Sequence, residues 1–386
     1  MSPHLEVVEM RPRISILGAG AAGLALALDL QNRGFQVLVY SHSDHLRHVN
    51  AIQKTGCLTA TGAMQISAQL RFTTDMGAAI GFSSILILTV PSTGQETLLE
   101  ELQNFALHRH TIIAIPGNLF SLVAKDLQVG CILETNLSPY SCRMHDSSLV
   151  VLGKKDQLFI AASHQNMPPI FYTTIESILP VTLKWCSSVI EVSLLNINGV
   201  FHPLMMIMNA GWIESTDGGF FIYRDGLTPA VANAMDAVDR VRMQVGEAFG
   251  LQLKSALEVS NECYKHTFSS LVDLAQNSGP HNQLKAPQNL GHRNLSEDVP
   301  DLLVTWMGLA EHLGIDASPI RAVVVLVSMS TGVDYLKVGR NLQKLRLEGV
   351  ESEELVVRFS VTEKKERPVV SIETFPQRDT MIMSQL

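Results

Sequence analysis

The N-terminal part of the chain alternates short, almost entirely apolar runs with segments of helical spacing. The apolar runs occupy residues 13–17, 35–40, 85–90 and 111–115. Strands that are apolar at nearly every position are typical of a parallel sheet covered on both faces. Residues 95–107 have the spacing of an acidic amphipathic helix. This alternation predicts a doubly wound α/β domain.

Further elements continue this rhythm before the pattern changes. Strands are predicted at 131–134, 149–152 and 158–162, with a helix near 170–178, so the α/β domain extends to about residue 190. Beyond it, five segments with helical spacing predict a mostly helical second domain: 199–215, 228–250, 255–276, 301–313 and 317–331.

One run in the second domain is ambiguous. Residues Val323–Val327 are β-branched except for one leucine, which is compatible with a strand. Pro319 at a plausible helix start and the flanking alanines favour a buried helix instead.

The predicted organisation is an α/β domain over residues 1–190, a helical domain over 191–350 and a polar, charged tail over 351–386. An alternative for the tail is a short hairpin built on 355–361 and 368–375.

Composition and charge narrow the class of protein. The 386 residues, 46% hydrophobic and 17% charged, are sufficient for two domains with a core each. The net charge of −8, without a Lys/Arg stripe, predicts no binding of nucleic acid or of an anionic membrane. Five cysteines without a CxxC pair fit neither a disulfide framework nor a zinc site, and no metal is expected.

The first residues of the chain and the length of its apolar runs predict the compartment in which the protein is located. The first eleven residues contain Glu6 and Glu9 and no apolar signal segment, and no apolar run approaches the 18 residues of a membrane span. Together with the unpaired cysteines, these features predict a cytoplasmic protein in a reducing compartment.

A glycine motif follows the first strand directly. Gly18 permits a tight turn, Gly20 lets the backbone approach a pyrophosphate, and Gly23 allows the next helix to pack closely on the strand. Ala21 and Ala22 open that helix, so their N–H groups face the same anion. The position between strand and helix predicts a dinucleotide site. The alternative is a glycine turn that only packs.

The end of the second strand bears on the choice of cofactor. An NAD site usually offers an acid to the ribose there, whereas this chain has Ser41 and His42, with Arg47 close behind. These side chains suit a 2′-phosphate better, so NADP(H) is the predicted preference and NAD(H) the alternative, in which Asp44 contacts the ribose. Pro91, which ends the strand at 85–90, is expected over the cofactor.

Two stretches of the second domain pair titratable side chains with polar neighbours. One leads from Asn196 to His202, and the other runs from His292 to Pro300. A histidine bonded to a carboxylate is a suitable general acid or base, and an arginine can hold a substrate carboxylate with two hydrogen bonds. The alternative is that each histidine is structural and that residues 296–298 only cap the helix at 301.

Several motifs, in this order, resemble the opine dehydrogenase (octopine/nopaline dehydrogenase) family over about residues 12–349. They are Gly18-x-Gly20-x-x-Gly23, Glu134-Thr135, Pro139-Tyr140-Ser141-Cys142-Arg143, Asn196-Ile197-Asn198 with His202-Pro203, Asp225-Gly226-Leu227-Thr228-Pro229, Asp239-Arg240, Arg293 to Pro300, and Gly339-Arg340-Asn341-Leu342.

The resemblance implies an NAD(P)H-dependent enzyme that condenses an α-keto acid with the amino group of an amino acid and reduces the imine. It implies that His202 is the catalytic histidine, that Asp298 is paired with it, and that Arg293 lies near the keto-acid carboxylate. Glu134 and Cys142 match positions that face the amino-acid side chain in some members. Such an enzyme is expected to have an active site between its two domains and to form a homodimer.

The chain departs from the family's pattern at two places. Residues 116–120 replace a more glycine-rich turn, which predicts a substrate contact from Asn118, and residues 301–303 replace an aromatic-glycine pair. Two other functions remain open at this point. One is a carbonyl or imine reductase of the ketopantoate reductase type, and the other is a sensor that binds NADP(H) without turnover.

Overall fold

A computed structural model of the chain describes residues 11–163 and 167–359. Within those ranges, the strands in chain order are β1 (Arg13–Leu17), β2 (Gln36–Tyr40), β3 (Leu58–Gly62), β4 (Ile66–Ala68), β5 (Phe72–Thr73), β6 (Ile85–Leu88), β7 (Leu107–Ala114), β8 (Val129–Thr135), β9 (Tyr140–His145), β10 (Ser148–Lys154), β11 (Gln157–Ala162) and β12 (Thr182–Trp185).

The α-helices of the same ranges are α1 (Ala21–Asn32), α2 (Arg47–Thr55), α3 (Met76–Phe82), α4 (Ser92–Leu102), α5 (Phe120–Val123), α6 (Pro169–Ile178), α7 (Val189–Leu194), α8 (Asn198–Ile207), α9 (Ala210–Thr216), α10 (Pro229–Ala248), α11 (Ala256–Tyr264), α12 (Leu271–Asn277), α13 (Arg293–Ser296), α14 (Val304–His312), α15 (Ser318–Thr331), α16 (Tyr335–Val338) and α17 (Ser352–Phe359). A 3₁₀ turn covers Ser43–His45, and a π-helical turn, Val299–Leu303, leads into α14.

The large sheet is the frame of the N-terminal domain. Its strands lie in the order β12-β11-β8-β7-β6-β1-β2-β5, and β11 runs antiparallel to β8. In the middle of the sheet, Ile16 pairs with Val39 of β2 on one side and with Ile87 of β6 on the other. The strand order reverses between β1 and β6. Ligands of such sheets bind beyond the carboxyl ends of the strands at this reversal.

The two faces of the sheet are covered differently. Helix α1 lies on one face, where Leu24, Leu26 and Leu28 are fully buried. A second sheet, in the order β4-β3-β10-β9, packs on the outer side of α1. Helices α3 and α4 cover the opposite face. The N-terminal domain is therefore a Rossmann-like domain with an added small sheet.

The C-terminal domain is helical and is organised around α10. This helix packs against α8, α14 and α15. Arg242 of α10 is fully buried, and its guanidinium donates to Asp239 at 2.7 Å and to the carbonyl oxygens of Leu194 and Lys254 at 2.7 and 2.6 Å. The buried charge is thus paired and hydrogen-bonded, as buried charges must be.

The structure confirms the main strands and the helical second domain and corrects several details. The helix predicted over 95–107 begins earlier, at Ser92. Two predicted helices, 199–215 and 255–276, are each divided by a short loop. The run Val323–Val327 lies in α15, so the helix interpretation is confirmed. The sequence analysis missed short or partly exposed strands, which lack a continuous apolar run: β3, β4, β5, β9 and β12.

Two other expectations need correction. Residues 355–359 belong to α17, which excludes them from a hairpin; the second hairpin strand, 368–375, lies outside the described residues. The expectation that no apolar run approaches 18 residues needs one addition: the stretch Val189–Ile207 is long and apolar enough to span a membrane by length and composition. In the structure, 83% of that window is buried within the protein.

The glycine turn fixes how α1 begins. Gly18 has a φ of +127°, and its N–H donates to the Tyr40 carbonyl oxygen at 3.0 Å. A Cβ atom on Gly23 would lie 2.1 Å from the carbonyl oxygen of Gly18, so only glycine lets α1 start against this turn. A Cβ atom on Gly20 would meet no protein atom within 4 Å.

An added methyl group is therefore expected to lower the free energy of unfolding much more at Gly23 than at Gly20. Gly23→Ala forces the turn and α1 apart, and overpacking of this kind lowers the free energy of unfolding by about 1–3 kcal/mol. Gly20→Ala is the matched control and changes it by less than about 1 kcal/mol, because its added methyl has free space. Chemical denaturation of both variants measures the difference. Equal losses would show that the packing at Gly23 does not set the start of α1.

Candidate active site

The turn at residues 18–23 has the features of a pyrophosphate site. Gly20 is the N-terminal cap of α1 and supplies no side-chain cap, so the first N–H groups of the helix, including those of Ala21 and Ala22, point out of the turn. The open space beside Gly20 allows a close approach of a ligand to the backbone. Pro91 is the cap of α4 at the same sheet edge and is exposed. These residues fit a dinucleotide cofactor.

The end of β2 carries the side chains expected to contact the ribose. Ser41 is buried, and its hydroxyl donates to the His45 carbonyl oxygen at 3.0 Å. His42 accepts a hydrogen bond from the Asp44 N–H through Nδ1. Arg47 is 83% exposed, and its Nη2 lies 4.0 Å from a carboxylate oxygen of the equally exposed Asp146. A surface pair of this kind holds Arg47 weakly.

Sequence reasoning missed an acid at this position. Glu101 of α4 reaches the end of β2, where it accepts a hydrogen bond from the Tyr40 hydroxyl at 2.7 Å and lies 3.5 Å from Nε2 of His42. Burial and the Glu101 carboxylate raise the pKa of Tyr40 well above its usual value. Glu101 is 61 residues from Tyr40 in the chain, so no local signal indicates the contact.

The structure brings His202 and Asp298 together. Nδ1 of His202 lies 2.7 Å from Oδ2 of Asp298, and the two side chains are 21% and 6% exposed. His202 comes from α8, and Asp298 directly precedes the π-helical turn. A Cβ atom on Gly199 would lie 2.7 Å from the Trp306 ring, so this glycine allows α8 to pack closely enough to form the pair.

Arg293 lies in the same cleft. Its guanidinium is 56% exposed and lies 2.7 Å from Oε2 of Glu297, one turn later. Glu297 is 3% exposed, and its other oxygen accepts the Ser92 N–H of the N-terminal domain at 3.2 Å. Burial raises the pKa of Glu297, and the Arg293 charge opposes that shift. The buried Glu297 carboxylate therefore holds one side of the Arg293 guanidinium, and the rest of the guanidinium is exposed to solvent.

His292 lies close to several charged groups of the cleft. Burial, followed by the positive charges of Arg143, His202 and Arg293, lowers the pKa of His292 to about 4. His292 is consequently neutral at physiological pH, and its Nδ1 accepts the Asn294 N–H at 3.3 Å. Arg143 belongs to this group although the sequence analysis assigned it no role.

Three predicted residues are placed away from the open cleft. Asn118 is 2% exposed, donates to the Ser92 hydroxyl at 2.9 Å and accepts from the Asn196 amide at 2.7 Å. Glu134 has no exposed surface, and one of its oxygens accepts both the N–H and the hydroxyl of Ser121. Both side chains therefore lie inside the protein; the Asn118 amide is hydrogen-bonded at both its nitrogen and its oxygen, whereas Oε2 of Glu134 is buried without a partner.

Cys142 is the third of these residues. Its side chain is almost fully buried, and burial raises the pKa of the thiol to about 11, although Arg143, Lys155 and Arg293 are close enough to oppose this shift. The thiol is therefore protonated and behaves as a small apolar wall beside the arginines.

Arg340 is a second residue to which the sequence analysis assigned no role. It is fully buried, and its guanidinium donates to Gln95 at 2.6 Å and to the carbonyl oxygens of Gly117 and Asn118 in the N-terminal domain. Its Nε lies 3.4 Å from Asp301, whose pKa burial raises to about 7. Arg340 therefore joins the two domains beneath the cleft.

Two family models match the chain. The model described as NAD/NADP octopine/nopaline dehydrogenase, alpha-helical domain, matches residues 185–331, and that of the NAD-dependent glycerol-3-phosphate dehydrogenase N-terminus matches residues 13–125. Protein ocs of Agrobacterium tumefaciens (strain Ach5) is 28% identical over 89% of this chain and 98% of its own length. Opine dehydrogenase of Arthrobacter sp. (strain 1C) is 27% identical over 87% and 95%.

Solved structures agree on the fold. Octopine dehydrogenase with NADH and L-arginine aligns with a TM-score of 0.70 at 17% identity, over 89% of this chain and 98% of that one. Yersinopine dehydrogenase with NADP+ aligns with a TM-score of 0.67 at 15% identity, over 90% and 97%. The helical part of this chain therefore matches the octopine/nopaline dehydrogenase domain, and nearly the whole chain is similar to opine dehydrogenases in sequence and fold.

Proposed function

We propose that the protein catalyses reductive condensation of an α-keto acid with the amino group of an amino acid, using NAD(P)H. The observation that carries the proposal is the His202–Asp298 pair, 2.7 Å apart, with Arg293 in the same cleft. The amine and the carbonyl form an imine and release water. Hydride addition to the imine carbon and proton addition to its nitrogen then give a secondary amine with two carboxylates.

His202 serves as the proton donor in this scheme. The Asp298 carboxylate accepts a hydrogen bond from the Nδ1–H of His202, which leaves Nε2 to face the substrate. Nε2 can then protonate the hydroxyl of the amine adduct as it leaves as water, recover a proton from the amine nitrogen, and return that proton to the nitrogen when hydride adds to the carbon. General acid catalysis of this kind contributes about 10² to 10⁴ in rate.

Arg293 orients the keto acid. One arm of its guanidinium is bonded to Glu297, and the exposed remainder can bind a planar carboxylate through two parallel hydrogen bonds. The turn at 18–23 fits the pyrophosphate of the cofactor, which supplies the hydride when bound. The binding surfaces thus come from both domains.

The dependence of turnover on an amine tests this function. We expect oxidation of NADPH or NADH by the purified protein only when a keto acid and an amino acid are both present, with a secondary amine dicarboxylate as the product identified by mass spectrometry. Turnover without an added amino acid would instead support a carbonyl or imine reductase like ketopantoate reductase. Cofactor binding without turnover across a broad substrate grid would support a sensor.

The proton-transfer unit makes a second prediction. His202→Asn and Asp298→Asn each lower kcat by about 10² or more, and the double variant is little worse than the worse single variant, because both changes remove the same step. His108→Asn, at an exposed position in β7, is the control and leaves kcat unchanged. Multiplicative losses of rate, with unchanged melting temperatures, would separate the two residues into independent roles.

We further propose that NADP(H) is preferred over NAD(H). The support is that neither acid near the end of β2 occupies the ribose position: Glu101 accepts the Tyr40 hydroxyl, and Asp44 lies beyond the end of β2, 78% exposed and 3.7 Å from His42 Nδ1. Arg47 is weakly held and is within the segment that follows the ribose position. A 2′-phosphate would gain charge-assisted hydrogen bonds there.

Titration of both reduced cofactors tests this preference. Arg47→Ala weakens NADPH binding by about 1–3 kcal/mol and leaves NADH binding unchanged, because only NADPH carries the 2′-phosphate. Lys54→Ala, which removes one exposed charge from the same helix, is the matched control. Tighter binding of NADH by the unmodified protein would contradict the proposed preference.

Two further proposals concern the cellular location of the enzyme and its assembly into a dimer. Small-molecule substrates, the acidic net charge and five free cysteines support a cytoplasmic enzyme without nucleic-acid or membrane partners. A homodimer is supported by apolar side chains exposed along one face of α15, including Val325, Leu326 and Met329. Sedimentation velocity of the full chain measures the state of assembly.

A further inference from the structure

Around the His202–Asp298 pair, positive charge exceeds the negative charge that a substrate can reach, and this limits which substrates can bind. The acids of the cleft are buried: Asp298 is paired with His202, Glu297 with Arg293 and Ser92, and Asp301 lies beside Arg340. Glu134, the acid that the family resemblance placed near the amino-acid side chain, has no exposed surface; one of its oxygens accepts from Ser121, and the other is buried without a hydrogen-bond partner. Each of these four carboxylates of the described site is therefore buried, and none is open to a substrate cation.

Arg143 differs from these groups because it has no acidic partner. Its Nη1 donates to the Cys142 carbonyl oxygen at 2.9 Å, and no described carboxylate lies within 4 Å of it. The side chain is exposed at residue 143 of β9, in the N-terminal domain. One arm of the guanidinium is thus fixed to the backbone, and the remaining donors are free.

The strand pair that carries Arg143 reaches the helices beside His202. Ser141 of β9 pairs with Gly153 of β10, where a Cβ atom would lie 3.4 Å from the Tyr264 ring. The rings of Tyr264 and Tyr223 both contact His281, and Tyr223 in turn contacts Phe201, the residue before His202.

His292 is within the electrostatic range of Arg143, His202, Arg293 and Asp298 together. Partial desolvation and the Arg293 charge lower the pKa of Arg143, while Tyr223 opposes this shift. Two arginines from different domains therefore face the same space beside the His202–Asp298 pair.

Lys155 adds a further positive charge behind this space. Its residue is 9% exposed, Nζ donates to the Ser138 carbonyl oxygen at 2.9 Å, and the ammonium lies 5.2 Å from the centre of the Tyr264 ring. No carboxylate partner of Lys155 is found among residues 11–163 and 167–359. A buried ammonium without a counter-ion repels a second cation strongly, because the protein interior screens charge less than water does.

We propose that Arg143 binds the α-carboxylate of the amino-acid substrate and that this amino acid has an uncharged or acidic side chain rather than a cationic one. The inference rests on the proposed condensation, in which two carboxylates must be held at once. Arg293 holds the carboxylate of the keto acid and Arg143 that of the amino acid. The two arginines thereby set the reacting amine and carbonyl side by side between the domains.

Steady-state kinetics of the full chain with saturating reduced cofactor and pyruvate or 2-oxoglutarate test the proposal. We expect kcat/KM for L-glutamine and L-glutamate to exceed that for L-arginine and L-lysine by at least about tenfold. Arg143→Gln raises KM for the amino acid by about tenfold or more and leaves KM for the keto acid within about twofold, because a charge-assisted hydrogen bond is lost on one substrate only.

Arg109→Gln is the matched control, since Arg109 is another exposed arginine of the N-terminal domain, in β7. It leaves both KM values unchanged. A preference for arginine or lysine, or an Arg143→Gln variant with a normal amino-acid KM, overturns the inference while the condensation activity stands. If no amino acid supports cofactor oxidation by the unmodified protein, the proposed function fails, and this inference fails with it.

Discussion

The site depends on a buried guanidinium that joins the two domains. Arg340 belongs to the C-terminal domain, but its hydrogen bonds reach Gln95 and the turn at residues 117–118 of the N-terminal domain. Asp301 beside it reduces the cost of burying this charge. Loss of one partner in such a pair typically costs about 3–5 kcal/mol, because the other charge stays buried. The relative position of the domains is thus fixed where the cleft begins.

A second contact between the domains sets the positions of Arg293 and His202. Glu297 accepts the Ser92 N–H of α4 and holds Arg293 with its other oxygen, and Asp298, the next residue, orients His202. Residues 293–298 therefore combine an accessible guanidinium, a contact to the N-terminal domain and the carboxylate that pairs with His202. A shift of this segment would change all three together, which explains why it is anchored by buried contacts.

Because the acids of the cleft are buried or paired, the cleft is electropositive. The acids Glu134, Glu297, Asp298 and Asp301 are buried, whereas Arg143 and Lys155 have no acidic partner in the described chain. One solved structure of this fold is octopine dehydrogenase with NADH and L-arginine. The fold is shared, but the charges that contact a substrate are set by individual side chains, so the substrate does not follow from the fold.

The spacing of residues along the chain was enough to predict the glycine turn, the positions of the main strands and the helical nature of the second domain. These features depend on local spacing: Gly18 and Gly23 act within one turn, and the apolar runs at β1, β6 and β7 are buried on both faces. The motifs around His202 and residues 293–298 also identified the residues that the structure places in one cleft. The short strands of the small sheet gave no comparable pattern.

Which polar side chains are accessible to a ligand depends on contacts between distant segments. Glu134 and Asn118 are polar residues near the sheet edge, yet both are buried: Ser121 donates to one Glu134 oxygen, and the Asn118 amide is bonded to Ser92 and Asn196. Glu101 reaches Tyr40, and Arg340 reaches Gln95, across 61 and 245 residues of chain. A local pattern records which groups a segment carries, but hydrogen bonds between distant segments are satisfied only after the backbone has folded and brought donors and acceptors within about 3 Å.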